Sequence, residues 1–177
     1  MLILGVDPGS IRTGYGAIDS DGRHHHLVES GTLVPPPRLP FPERLHRIHE
    51  GVATLIARLH PDCLAVEDVF HAANTRTALV LGHVRGVLLL AGAQAGLVVH
   101  SFSPATVKAQ IAGFGQAEKR QVAMMVSRLL DLAQDRDPGD ATDALAVALC
   151  LACTHPDSPV QAIVAKALAS RPARRRA

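Results

Sequence analysis

The 177-residue sequence contains only three cysteines, which argues against a disulfide framework. Cys63, Cys150 and Cys153 form an odd and sparse set, typical of a protein from a reducing compartment. Cys150 and Cys153 have the spacing of a redox or metal motif, but they lie inside an apolar helical run. We therefore predict that they are buried packing residues of a cytoplasmic protein.

The sequence also lacks a long uninterrupted hydrophobic run and a strong excess of charge. Its most apolar region, around residues 79–99, contains His83, Arg85 and Gln94, so we expect no membrane span. No basic leader precedes Asp7, and we expect no signal peptide. The net charge is +2, with 47% hydrophobic and 19% charged residues, which indicates a globular chain. Binding to a polyanion would then need a local basic patch.

The charge balance is not uniform along the chain. Residues 171–177 hold four arginines and no acid. We expect one domain over residues 1–156, followed by a C-terminal extension over 157–177 that is basic and disordered at its end.

The first informative segment is the apolar stretch that ends at Asp7. Residues 2–6 are apolar except for Gly5, which predicts a strand buried on both faces. Pro8 and Gly9 stop the strand, so Asp7 lies at a sheet edge, where α/β proteins place their ligands. Asp7 could also simply open a turn.

The next segments predict an antiparallel meander. Residues 14–19 and 27–34 read as strands on either side of a turn at 19–22. His24, His25 and His26 fall in this connection. Three consecutive residues cannot all face one ion, so a solvated loop is favoured over a metal site.

The chain then alternates between helices and strands, which predicts an α/β fold. Apolar residues at helical spacing over 45–59 precede a buried strand over 63–67, whose last residue is Glu67. Parallel pairing of this strand with the first one is expected. Further helices are expected over residues 74–95, from Pro104 and around 122–130, with another strand over 97–102. Gly82 and Gly86 share one face of the 74–95 helix, which suggests close packing by another element.

Asp140-Ala141-Thr142-Asp143 supplies a second pair of carboxylates. Asp140 could be only an N-cap and Asp143 only a favourable first-turn acid. Residues three apart nevertheless share a helix face, so both can point at one site. If Asp7 and Glu67 converge with this pair, cations must neutralise the repulsion. Oxygen ligands without Cys or His favour Mg²⁺ or Mn²⁺, and two such ions can support phosphodiester hydrolysis.

Six segments in order and spacing resemble the RuvC family of Holliday-junction resolvases. They are residues 4–10 (LGVDPGS), 65–70 (AVEDVF), 81–86 (LGHVRG), 104–108 (PATVK), 117–119 (AEK) and 140–146 (DATDALA). The resemblance implies a ribonuclease-H-like fold, with a five-stranded mixed sheet (an antiparallel meander plus parallel strands) and helices on both faces. It also implies an endonuclease that resolves four-way DNA junctions in recombination and repair by paired symmetric nicks.

The resemblance also implies roles for individual residues and partners. Asp7, Glu67, Asp140 and Asp143 are then the catalytic acids that bind two Mg²⁺ ions, with Mn²⁺ as a possible substitute. Four-way junction DNA, a second copy of the chain and a branch-migration motor are the implied partners. DNA contacts are expected from one aromatic and three basic residues: Phe70, Arg76, Lys108 and Lys119. Phe70 would stack on an unpaired base at the branch point.

Three alternative functions remain open from the sequence. An actin-like ATPase would need two related domains, and this chain offers one Asp-x-Gly. Another ribonuclease-H-like nuclease would share the catalytic acids. A junction-binding protein without catalysis would not need all four acids.

Overall fold

The computed structural model describes residues 1–69, 74–133 and 136–154, and within them the chain forms one five-stranded mixed sheet. The strands are β1 (Leu2–Asp7), β2 (Thr13–Ser20), β3 (His25–Leu33), β4 (Cys63–Glu67) and β5 (Val98–Phe102). Their order across the sheet is β3-β2-β1-β4-β5. β1, β2 and β3 pair antiparallel, whereas β4 pairs parallel with both β1 and β5. The predicted meander and the predicted parallel extension are both confirmed.

Helices cover both faces of the sheet, as predicted. They are α1 (Phe41–Leu59), α2 (Thr75–Gln94), α3 (Pro104–Ala112), α4 (Lys119–Leu129) and α5 (Asp140–Thr154). Alternate side chains of the buried strands point to opposite faces. Ile3 and Ala65 therefore pack with α3, α4 and α5, while Leu4 and Leu64 pack with α1 and α2. The two hydrophobic cores pack on opposite faces of the central strands and thereby fix where the strand ends lie.

α5 lies unusually close to the sheet because it crosses glycines of β1 and β2. An ideal Cβ at Gly5 would lie 2.2 Å from the carbonyl oxygen of Ala144, and one at Gly14 would lie 1.9 Å from that of Asp140. Backbone cannot move aside as a side chain can, so only glycine fits at these two positions. This contact, which no local sequence pattern indicates, fixes the start of α5 beside the end of β1.

Gly82 and Gly86, in contrast, are not packing sites within the described part of the chain. Both are exposed, and no atom described here lies within 4 Å of an ideal Cβ at either position. α2 is apolar on its core side and on its outward side, and by length and composition it would suit a membrane span. Its residues Val84 and Leu88 are buried in the core.

The interpretation of the three histidines as a solvated loop is wrong for His25. His25 is the first residue of β3 and is only 7% exposed, while His24 and His26 are exposed. Its Nδ1 lies 2.8 Å from the hydroxyl oxygen of Ser20, and its Nε2 lies 3.9 Å from Sγ of Cys153. The cause is the alternation of the strand, which turns one imidazole of the three inward. Cys63, Cys150 and Cys153 are buried free thiols, as predicted.

Candidate active site

Asp7 and Glu67 lie side by side at one edge of the sheet. β1 and β4 are parallel and in register up to Val6 and Val66, so the next residue of each strand emerges at the same edge. The carboxyl group of Asp7 hydrogen-bonds to the carboxylate of Glu67. The predicted parallel pairing of β1 with β4, which brings Asp7 and Glu67 to one edge, is confirmed.

Asp143 joins these two residues from the first turn of α5. The three carboxylates line one cavity of about 250 Å³. Apolar residues of α3, α4 and α5 form its remaining walls together with two lysines. The full lining is Asp7, Glu67, Pro104, Val107, Lys108, Lys119, Val122, Asp143 and Ala146.

The cavity disfavours negative charge on its deepest acid. Burial, with the nearby charges of Glu67 and Asp143, raises the pKa of Asp7 from 3.8 to about 8. Burial also raises the pKa of Glu67. Burial, the larger cause, therefore favours the protonated form of Asp7, and a bound cation would offset the part of both shifts that comes from neighbouring carboxylates.

Two lysines bring positive charge to this cavity. Nζ of Lys119, at the start of α4, lies 2.8 Å from Oδ2 of Asp143. This hydrogen bond raises the pKa of Lys119. Lys108, on α3, lines the same cavity, and its positive charge offsets a part of the rise in the pKa of Glu67. Both lysines, from which DNA contacts are expected, thus line the cavity that holds the carboxylates.

Asp140 is placed differently from the other three acids. It is the first residue of α5 rather than the N-cap, and its Oδ2 lies 2.6 Å from Nε of Arg12. It does not line the carboxylate cavity. Arg12 lies in the loop between β1 and β2, and the sequence analysis missed it. The available signal was its position, five residues after Asp7 in the loop that leaves the site.

The donor set fits hard divalent cations, although the ligands are not yet gathered around one point. Among residues 1–69, 74–133 and 136–154, no group of three His, Cys, Asp or Glu is arranged as a metal site. The reason is visible in the contacts: Asp143 and Asp140 are each paired with a basic residue, and Asp7 with Glu67. Three carboxylates nevertheless share the cavity, and oxygen donors of this kind match Mg²⁺ and Mn²⁺.

Of the other two predicted DNA-binding residues, one lies within the described part of the chain. Arg76 is exposed on the first turn of α2 and does not line the carboxylate cavity. Phe70 lies outside the described residues, as does the C-terminal extension over 157–177.

Comparison with known proteins identifies one family over most of the chain. Residues 3–151 match the family model described as crossover junction endodeoxyribonuclease RuvC. A protein of that name from Chloroflexus aurantiacus is 46% identical over 156 residues, covering 88% of this chain and 95% of the relative. Another from Desulforamulus reducens is 45% identical over 150 residues, covering 85% of this chain and 92% of the relative.

Solved structures agree with the sequence relatives. A structure of T. thermophilus RuvC in complex with a Holliday junction substrate has a TM-score of 0.78 and 34% identity, covering 85% of this chain and 92% of that one. The yeast mitochondrial Holliday junction resolvase has a TM-score of 0.63 at 14% identity, covering 91% of this chain and 83% of that one. This second likeness shows a shared fold, which confirms the predicted ribonuclease-H-like architecture.

Proposed function

The chain belongs to the RuvC family of crossover junction endodeoxyribonucleases, and we propose that it resolves Holliday junctions with the carboxylates of Asp7, Glu67, Asp140 and Asp143. The observation that carries this proposal is the cavity where Asp7, Glu67 and Asp143 meet beside Lys108 and Lys119. The carboxylates that would bind a metal ion and the lysines that would bind a phosphate therefore lie together at one edge of the sheet. The activity is hydrolysis of DNA phosphodiester bonds.

We propose two Mg²⁺ ions per active site, with Mn²⁺ able to replace them. Bound divalent cations would supply an activated water and stabilise charge on the leaving oxygen. Asp7 and Glu67 would hold them from the sheet edge, and Asp143 and Asp140 from the first turn of α5. The closeness of Glu67 and Asp143 supports this assignment, because their charges add to the effect of burial in raising the pKa of Asp7 and a cation would relieve that repulsion.

Residues of the chain itself position the DNA strand and hold or release protons. Lys119 and Lys108 attract a phosphate to the mouth of the cavity and fix its position. The proton shared by Asp7 and Glu67 must leave before both carboxylates can act as ligands, so loading of the site releases a proton to solvent. Val107, Val122 and Ala146 form an apolar wall that limits bulk water beside the acids.

We further propose that Arg76 and Phe70 contact the junction away from the cleaved phosphate. Arg76 is exposed, so its guanidinium is available to the DNA backbone. Phe70 follows Glu67 by three residues, which supports the expected stacking on a base near the branch point. These residues would select the four-way structure rather than perform the hydrolysis.

A homodimer is the proposed assembly, with the outward face of α2 as its interface. Leu79 and Leu90 are 60% and 50% exposed there, although they are large apolar residues. With Gly82 and Gly86 they border an open, mainly apolar groove of about 650 Å³. A second copy of α2 is the proposed occupant, because exposed glycines allow two helix backbones to approach and a junction has two strands to cut.

The resemblance also supports two further expectations, which we include in the proposal. One is a complex with a branch-migration motor that moves the junction through the enzyme. The other is a cytoplasmic location, which the three buried free thiols support.

A substrate panel tests the proposed activity. The purified protein is incubated with a labelled four-way junction, a linear duplex and an RNA–DNA hybrid, each with Mg²⁺ or with a chelator. Paired symmetric nicks in the junction alone, and only with Mg²⁺, are expected. Cleavage of the hybrid would favour another ribonuclease-H-like nuclease. Junction binding without cleavage under all conditions would favour a non-catalytic role.

A further inference from the structure

We propose that Arg12 is a positioning residue that holds Asp140 in an exchangeable ion pair and transfers to a DNA phosphate when a divalent cation takes the carboxylate. The inference rests on the proposed metal site. It starts from the contact of 2.6 Å between Nε of Arg12 and Oδ2 of Asp140. A second nitrogen of the guanidinium lies 3.5 Å from the hydroxyl of Thr32.

The two partners differ in their freedom to move. The backbone of Asp140 is fixed against β2, because its carbonyl oxygen occupies the space of a Cβ at Gly14. The side chain of Arg12 is 57% exposed and lies in a loop. Opening the pair therefore requires rotation of an Asp140 side chain and displacement of an exposed arginine, while α5 stays in place.

Arg12 pairs with Asp140 as Lys119 pairs with Asp143. Asp143 is held by Lys119 and Asp140 by Arg12, so both acids of α5 are neutralised by a side chain that is more than half exposed. A cation at the cluster would compete with both basic residues. Each displaced positive charge would then remain beside the mouth of the cavity, where the negatively charged strand enters.

This arrangement predicts an increase in cation affinity when Arg12 is neutralised. An exposed ion pair contributes little, so Arg12→Gln should tighten Mg²⁺ binding by the free protein by up to about fivefold in a calorimetric titration. Arg23→Gln is the matched control. It removes the same charge from the β2–β3 turn, at the opposite end of β2, and should leave the Mg²⁺ affinity within experimental error of wild type.

Junction binding at several salt concentrations provides the second readout. Ca²⁺ takes the place of Mg²⁺, because its flexible coordination suits ordered two-ion hydrolysis poorly and leaves the junction largely uncut. With Ca²⁺, Arg12→Gln should weaken junction binding and reduce the salt slope by about one phosphate contact. With a chelator, when Arg12 is held by Asp140, the variant and wild type should have the same slope.

The outcomes separate this inference from the proposed function. Unchanged or weaker Mg²⁺ binding by Arg12→Gln would overturn the exchange, because Arg12 would then only support Asp140. If Arg12→Gln reduced the salt dependence of junction binding equally with and without Ca²⁺, the exchange would also be overturned. Absence of Mg²⁺ binding by the wild-type protein would overturn the proposed metal site itself, and this inference with it.

Discussion

The ammonium group of Lys119 donates a hydrogen bond to Oδ2 of Asp143 across 2.8 Å, linking the start of α4 to the first turn of α5. This contact brings a DNA-binding candidate and a catalytic candidate together. The side chain of Lys119 is 70% exposed, whereas that of Asp143 is 21% exposed. Lys119 therefore stands between the acid cluster and solvent, on the path that a phosphate would take.

Replacement of Lys119 by Gln should impair cutting far more than folding. Its ion pair is largely exposed, so its loss should change the free energy of unfolding by less than about 1 kcal/mol. Loss of a charged donor beside the scissile phosphate should slow single-turnover junction cleavage by about 10- to 100-fold. Arg128→Gln, which removes an exposed charge from the last turn of α4, is the control. Equal rates for the two variants would remove Lys119 from the active site.

The raised pKa of Asp7 predicts that the metal-free protein loses stability as pH rises. Between pH 4 and pH 8 the folded state keeps a proton on Asp7 that the unfolded chain has lost, so the free energy of unfolding falls through this window. Asp7→Asn removes the effect. At pH 8 in a chelator the variant should be more stable than wild type by at least about 1 kcal/mol, or a few degrees in melting temperature.

The same experiment has two internal checks. Near pH 4 the difference in stability between Asp7→Asn and wild type should be smallest, and Mg²⁺ should reduce the difference at pH 8 by stabilising the ionised wild-type site. Parallel stability curves from pH 4 to pH 8 would show that Asp7 does not titrate in this range.

Burial of His25 predicts that the free energy of unfolding falls as the pH is lowered, which is opposite to the effect of Asp7. Burial lowers its pKa below the ordinary 6.5, so the folded state favours the neutral imidazole. Its contribution to stability is full above pH 6.5 and is lost as pH falls through the lowered value. In urea unfolding, His25→Gln should therefore gain stability relative to wild type as pH falls from 7 to 5, whatever its effect at neutral pH. His26→Gln, at an exposed neighbour, should keep a constant difference from wild type. A relative gain for His26→Gln and not for His25→Gln would contradict the burial argument.

Gly86→Leu tests the proposed dimer interface on α2. No described atom lies within 4 Å of a Cβ at Gly86, so the variant should fold with near-native circular dichroism. If two copies of α2 meet there, sedimentation should show monomers at low micromolar concentration, and paired cutting should fall further than single nicking. Ala57→Leu adds the same side chain to an exposed position of α1 and should remain dimeric. A dimeric Gly86→Leu variant with intact paired cutting would place the interface elsewhere.

The sequence was sufficient to predict the sheet edge that carries Asp7 and Glu67. Each acid ends a short, wholly apolar strand, and buried parallel strands that alternate with helices must bring such ends together. The position of Asp143 was predictable for a related reason, since it lies in the first turn of α5, the most apolar of the five described helices. These predictions depend on local pattern, which a single sequence contains.

The features that were missed depend on contacts between distant segments. Nothing near Gly14 indicates that the backbone of Asp140 will occupy the space of its absent side chain. Arg12 and Asp140 are 128 residues apart, and their ion pair appears only once β2 and α5 are packed. β3 begins at His25, two residues before the predicted start, and the alternation of the strand turns this imidazole inward.

The account depends most directly on the carboxylate of Asp7, which single-turnover cleavage of a labelled four-way junction in Mg²⁺ can test. Asp7→Asn keeps the shape of the side chain and removes the charge that holds a cation. The variant is expected to bind the junction about as tightly as wild type, because Lys108 and Lys119 remain to attract the phosphates, and to nick it no faster than wild type does in a chelator. Asp21→Asn, on the exposed β2–β3 turn, should cut normally. Near-normal cutting by Asp7→Asn in Mg²⁺ would contradict the assignment of this cluster as the active site.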